Sequence, residues 1–288
     1  MGTRAKTRPF FAQNWFRFRR EWILATVAFL SVFIVIAPAL WLVITSFKTN
    51  ENIFVYPPQI LPAPFTFQNY IDVLNDGRFP RYLLNSLMIS FGATFICVVF
   101  SALAAYALTF FEFKGRNTAL TVIVGTQFFP TAILLLPLFR MWAELGLFDT
   151  YFSLVATYTA SNMSLCTWLL VGFFRAIPRE VIDAARLDGS SRVRTLIFIV
   201  VPLSLPGLMA GGAFIFIGIW QEFLLAVTLI NDPDKLTAMV GLFKFIGENS
   251  IAWNLLIAAS VIVSIPTIIL FGLIQRYIVD GAMAGAVK

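Results

Sequence analysis

Residues 176–206 read A-I-P-R-E-V-I-D-A-A-R-L-D-G-S-S-R-V-R-T-L-I-F-I-V-V-P-L-S-L-P, the longest charged interruption in an otherwise apolar chain. Pro178 suits the first turn of a helix, where its missing N–H costs nothing, and Gly189 suits the left-handed residue that closes one. The stretch therefore predicts a short helix over about 178–188. Within it Val181, Ala184, Ala185 and Asp188 recur at i, i+3, i+4 and i+7, so they share a face, and two alanines there leave room for another protein's side chains. Ser190 or Ser191 can cap a second helix, which starts at Arg192 and Arg194 and climbs through an apolar run towards Pro202 and Pro206.

Outward from this loop the chain reads as membrane. Its 288 residues are 59% hydrophobic and 12% charged, with 31 Phe, and the mean hydropathy is +0.84. Several stretches exceed the ~20 apolar residues a helix needs to cross hydrocarbon, whereas the alternating segments of a barrel are absent, so the spans are helices. They fall at about 22–46, 82–110, 118–139, 151–174, 201–220 and 254–273. The first is too long for a signal peptide core and reads as an uncleaved span behind a basic segment, residues 1–21. The third is interrupted at Phe128 to Pro130, where a kink is expected. Ser101 to Leu108, S-A-L-A-A-Y-A-L, offers a small-residue face for a neighbouring helix. Between the spans lie a proline-rich loop, 47–81, with a short helical pattern at Asn69 to Leu74, and a second loop, 221–253, containing N-D-P-D.

Charge sets the orientation. With both termini inside, fifteen of the 21 Lys and Arg fall in inner segments, so the net charge of +6 is topological, and no nucleic-acid partner is implied. Residues 175–200 then lie in the cytoplasm as a loop inside a six-helix transmembrane domain, 22–274, followed by a cytoplasmic tail, 275–288.

Several chemistries are missing. There is no histidine, no clustered Cys or carboxylate with metal spacing, and no phosphate-cradling G-x-x-x-x-G-K-[ST] loop, so ATP hydrolysis would have to occur on another chain. Cys97 and Cys166 sit inside apolar spans as ordinary buried thiols. Every acidic or basic residue maps to a loop or a span end, which argues against an ion-gradient-driven secondary transporter, the leading rival class. The absence of histidine and of paired buried carboxylates counts against a membrane-embedded enzyme. A purely structural assembly subunit stays open.

The order A-A-x-x-x-G at Ala184, Ala185 and Gly189, preceded by Asp183, resembles the motif of the membrane subunits of ATP-binding-cassette (ABC) importers, with Asp in place of the usual Glu. N-S-L (Asn85 to Leu87), A-A-Y-A-L (Ala104 to Leu108), L-D-G-S-S (Leu187 to Ser191), W-Q-E-F (Trp220 to Phe223) and Q-R-Y…A-G-A-V-K (Gln275 to Lys288) extend the resemblance, over nearly the whole chain, to the maltose-type sugar permeases. The resemblance implies a type I importer permease fold in the cytoplasmic (inner) membrane of a bacterium or archaeon. It also implies a second permease subunit, two cytoplasmic ATPase subunits that bind ATP and Mg, and an extracytoplasmic binding protein delivering a di- or oligosaccharide, with no cofactor on this chain. By the same resemblance the helix at 178–188 sits in a cleft of the ATPase; Ala184 and Ala185 are then expected as contact face, Asp183 and Arg186 as polar register and Gly189 as turn, with Asp188 in the same coupling set.

A substrate path is less marked. Gln127, Ser161, Asn162 and Ser164 are polar groups within spans that can hydrogen-bond sugar hydroxyls, with Phe128, Phe129, Tyr158 or Trp168 to stack on a sugar face; bridging between helices is the commoner use of such groups. Glu222 is expected near an external gate, Asp232, Asp234 and Glu248 on a binding-protein surface or a solvated loop, and Trp220 and Trp253 in an aromatic belt.

Overall fold

The computed structural model describes residues 10–247 and 250–286, and among them the architecture is helical. Four helices are long and apolar enough to cross a membrane unbroken: α1 (Phe10–Thr45), α3 (Phe79–Phe110), α6 (Tyr151–Phe174) and α12 (Trp253–Ala286). Short α2 (Gln68–Asn75) forms where the pattern at 69–74 predicts it. The tail expected at 275–288 continues α12 as helix to Ala286.

The other two expected spans are broken. Helix α4 (Arg116–Gly125) runs into a 3-10 turn ending at Phe128 and meets α5 (Thr131–Glu144) at 95°. The break falls on F-F-P because proline forces the residue before it out of the helical region, and Phe129 sits at φ −77°, ψ 119°. The fifth expected span is also two pieces, α8 (Arg192–Leu203) and α9 (Leu205–Trp220), bent by 81° at Ser204 between Pro202 and Pro206. The expected straight climb from Arg192 into the membrane is thus corrected, since α8 leaves the line of α9 almost at a right angle. Between α6 and α8 lies α7 (Arg179–Leu187), and after α9 come α10 (Leu224–Leu229) and α11 (Ala238–Leu242). The expected second loop is therefore built largely of structure packed into the bundle, with Leu225, Ala226, Leu229 and Ala238 at most 2% exposed.

The core is the α3–α6 pair. Ser101, Ala102 and Ala105 are buried as their small-residue pattern predicts, and Ser101 Oγ donates to the Met163 carbonyl at 3.2 Å. Across this pair lies α9, whose approach to α6 depends on Gly207, because a Cβ there would run into the Phe173 ring. Trp220 is 2% exposed and donates its indole N–H to the Val263 carbonyl at 3.0 Å, so it ties α9 to α12 and does not stand in an interfacial belt. By contrast α1 is packed by its own chain only around its last turn, and none of its most apolar window is buried.

Gly207→Leu should lower the thermal unfolding midpoint of the detergent-purified chain, by the ~1–3 kcal/mol typical of overpacking. Gly92→Leu, where a Cβ meets nothing within 4 Å, is the control, and equal midpoints for the two variants would count against the tight crossing.

Candidate coupling surface and transport path

The bundle end that carries the basic loop is closed by α7. Pro178, at ψ 136°, sits just ahead of the helix; Glu180 lies in the first turn and Arg186 in the last, each matched to the helix dipole. The C-terminus is a complete Schellman closure. The amide of Ser190 bonds the Ala185 carbonyl at 2.9 Å, that of Gly189 bonds the Arg186 carbonyl at 3.0 Å, and Gly189 takes φ +77°. The next helix starts at Ser191, whose Oγ accepts the Arg194 amide at 3.4 Å.

The face of α7 is rotated from the expected one. Ile182 and Ala185 are 2% and 6% exposed and turned into the chain's own packing, while Val181, Ala184, Asp188 and above all Leu187, 89% exposed, face outward. Ile182 is the largest apolar side chain on the helix able to reach the bundle, and burying it carries Ala185 along one turn later. Within the described chain Ala185 thus turns inward and Ala184 outward. Asp183 pairs with Arg186 at 3.2 Å on the helix surface, and Arg179 reaches Glu112 at 3.2 Å across a cleft of ≈ 1000 Å³ bounded by Phe110, Phe113 and Ile182. Both pairs are largely exposed and set geometry more than stability.

The polar groups expected along a path come together at the α4–α5 break. Gln127 Nε2 donates to the Ser161 carbonyl at 3.1 Å, Ser164 Oγ and Thr126 Oγ1 share a hydrogen bond of 2.7 Å, and Asn162 Nδ2 donates to its own helix at the Tyr158 carbonyl, 2.8 Å. Thr126 was not singled out from sequence; its position one residue before Gln127 on the same broken helix was the available signal. The Gln127 and Thr126 contacts bridge helices, yet the patch stays open, with Gln127 and Ser161 exposed and Phe128 83% exposed.

Tyr158 does not belong to it. It is 1% exposed and donates its O–H to Glu222 Oε2 at 2.7 Å. Trp168 lies elsewhere, two turns towards the basic end in a groove with Arg175. Glu222 also accepts the amides of Leu225 at 2.8 Å and Ala226 at 3.2 Å, so its carboxylate sits on the N-terminus of α10. It bolts α6 to α10.

At the opposite end the acidic residues are used internally. Asp149, at φ +59°, accepts the amides of Asn231 and Asp232 at 3.0 Å each and lies 3.6 Å from Lys235, which pairs with Asp232 at 3.2 Å. Asp234 pairs with Arg81 at 3.4 Å. The Asp234 amide and Lys235 hold the Asp232 carboxyl below its usual range, and Asp232, with Asp149 behind it, raises Lys235. Asp232 and Asp234 thus form ion pairs within the chain while staying partly exposed; Glu248 lies outside the described residues. Asn85 of N-S-L donates to the carbonyls of Asp234 and Leu236 at 2.9 and 3.0 Å and accepts the Tyr151 hydroxyl at 2.9 Å, while Ser86 Oγ accepts the Ala238 amide at 2.7 Å.

A multi-helix membrane chain with a surface helix at its basic end and open polar groups at a helix break is built as a transport component. Residues 97–282 match the family of binding-protein-dependent transport system inner membrane components, and the chain belongs to it. It is 36% identical to the sulfoquinovosyl glycerol transport system permease protein of Agrobacterium fabrum, over 87% of this chain and 88% of that one. It is 37% identical to the trehalose/maltose transport system permease protein of Thermococcus litoralis, over 91% and 94% of the two chains. A chain of a solved bacterial ABC transporter involved in import of the acidic polysaccharide alginate shares the fold, with TM-score 0.78 and 21% identity over 96% of this chain and 99% of that one.

Glu222→Leu should lower hydrogen-exchange protection over 224–229 at least about tenfold, since hydrogen bonds to charged groups are worth ~1.5–3 kcal/mol each, and Tyr158→Phe should lower it less. Unchanged protection would remove the bolt. A folded carboxyl held low gives stability that is present above its unfolded value and lost as pH falls through the folded one. The midpoint difference between the native chain and Asp232→Asn should therefore be full at about pH 6 and close below about pH 4; a pH-independent difference would contradict the tie.

Proposed function

We propose that the chain is the transmembrane permease subunit of an ATP-driven, binding-protein-dependent importer for a di- or oligosaccharide or a related polyol or glycerol phosphodiester. It couples hydrolysis on partner subunits to alternating access of the spans. The observation that carries this reading is α7: a rigid, capped helix whose exposed side, Val181, Ala184 and Leu187, has no cover within the described chain. Such a piece transmits movement as a body when a partner groove closes on it.

In this reading the basic end and both termini are cytoplasmic and the two bent pairs complete six spans, as the distribution of Lys and Arg favours. Two ATP-binding-cassette subunits, carrying ATP and Mg, meet α7 through Ala184 and Leu187, with Asp183, Arg186 and Asp188 setting register and Gly189 the turn. The tail from Gln275 is the second candidate for contact with them. A second permease subunit covers α1, whose apolar window finds nothing to bury it in its own chain. The binding protein docks at the opposite end. Sugar hydroxyls meet Gln127, Ser161, Asn162 and Ser164, with Phe128 and Phe129 beside them. Relatives named for sulfoquinovosyl glycerol and for trehalose and maltose support a glycoside cargo.

Purification through a tag on this chain should bring down ATPase activity that one sugar-loaded binding protein stimulates. Gradient-driven uptake by the chain alone would replace this reading with a secondary transporter. Ala184→Trp should leave the complex assembled and uncouple hydrolysis from uptake, whereas Ala185→Trp should chiefly lower the yield of folded chain. Normal coupled uptake in Ala184→Trp would exclude the outward face of α7 as the contact.

A further inference from the structure

Helix α8 is apolar on two sides. Thr195, Leu196, Val200 and Ser204 are buried against the chain's own bundle, at most 5% exposed. On the other side Val193, Ile197, Phe198 and Leu203 are 64%, 51%, 70% and 56% exposed. A π turn over Leu196–Val200, closed by the Val201 amide on the Leu196 carbonyl, inserts the extra residue that keeps Phe198 and Leu203 on one face. With α9 crossing the bilayer, a bend of 81° lays α8 nearly in the plane of the membrane. The exposed side continues through Leu205 and Met209 into α9, so one apolar surface runs from the boundary of the leaflet into the hydrocarbon.

We propose that α8 is an in-plane interfacial helix that binds anionic phospholipid in the basic-end leaflet, with Ile197, Phe198 and Leu203 among the acyl chains and Arg194 on a headgroup phosphate. This rests on the membrane orientation proposed above. Charge complementarity selects the occupant. Arg194 makes no ion pair among the described residues, and Arg192 lies 4.8 Å over the Phe111 ring, so the start of the helix carries two arginines that no acid of the described chain pairs with. A basic start followed by exposed Phe and Ile is the pattern by which helices seat at the headgroup boundary. The consequence for transport is mechanical. Thr195 Oγ1 donates to Ser190 Oγ and to the Ser191 carbonyl, both at 3.1 Å, so the element held by the leaflet is tied directly to the closure of α7. The leaflet thereby sets the height at which α7 is presented.

The test places a bimane fluorophore on the full chain, in its purified complex in nanodiscs, through Phe198→Cys and separately Ile197→Cys, with Val200→Cys as buried control; Cys97 and Cys166 are buried. Brominated lipid should quench the label at 198 and 197 and aqueous iodide should not. Brominated phosphatidylglycerol should quench more than brominated phosphatidylcholine, and Arg194→Gln should reduce that preference about fivefold. Quenching by iodide, or by neither agent because another protein chain covers the face, overturns the proposal, as does an anionic preference unchanged by Arg194→Gln. ATPase stimulation by binding protein, measured on the same nanodiscs, reads the permease assignment separately.

Discussion

Hydrocarbon offers no water to backbone N–H and C=O groups, and that single constraint organises this chain. Wherever the backbone faces lipid it must be helix, and a departure from helix is tolerated only where protein satisfies the freed groups. The two sharp breaks obey this. At Phe128–Pro130 the Phe129 amide bonds the Thr126 carbonyl at 3.3 Å and the Ile133 amide bonds the Pro130 carbonyl at 3.0 Å, while Thr126 and Gln127 turn their side chains onto α6. At Ser204 the serine amide reaches back to the Val200 carbonyl, and the Leu208 amide takes up the serine carbonyl, each at 2.9 Å. The first break leaves the open patch at Gln127 and Ser161, whereas Ser204 at the second stays buried, 4% exposed.

The same constraint explains how the two ends differ. At the end opposite the basic loop, short side chains staple loops to spans by bonding backbone carbonyls: Asn85 on Asp234 and Leu236, and Asn69 on Ser46 and Lys48 at 2.8 Å each. Asn69 also accepts from Asn254, at 2.9 Å, which joins the end of α1 to the start of α12. At the basic end α7 is held by the burial of Ile182 and Ala185, by the exposed Arg179–Glu112 pair and by its closure, with fewer such staples to the spans.

What could be read from residues alone followed from local rules. Pro178 and Gly189 set the bounds of α7, the alanine and serine pattern marked the packing face of α3, and the proline after Phe129 located a break, because each acts through its own backbone or its immediate neighbours. What sequence could not supply was rotation and long-range pairing. A helix of nine residues has several apolar faces, and the choice between Ala184 and Ala185 was decided by where Ile182 could be buried. Tyr158 and Glu222 are 64 positions apart, and nothing in either segment announces that they meet. The acidic loop read as solvated because Asp149, Arg81 and Lys235 converge on it only through the fold.

The bareness of α1 bears on the life history of the molecule. Among the spans described this segment is the one its own chain claims least, held only at its last turn. A subunit left alone in the membrane would thus display one long unclaimed helix, a mark by which an orphan can be told from an assembled copy.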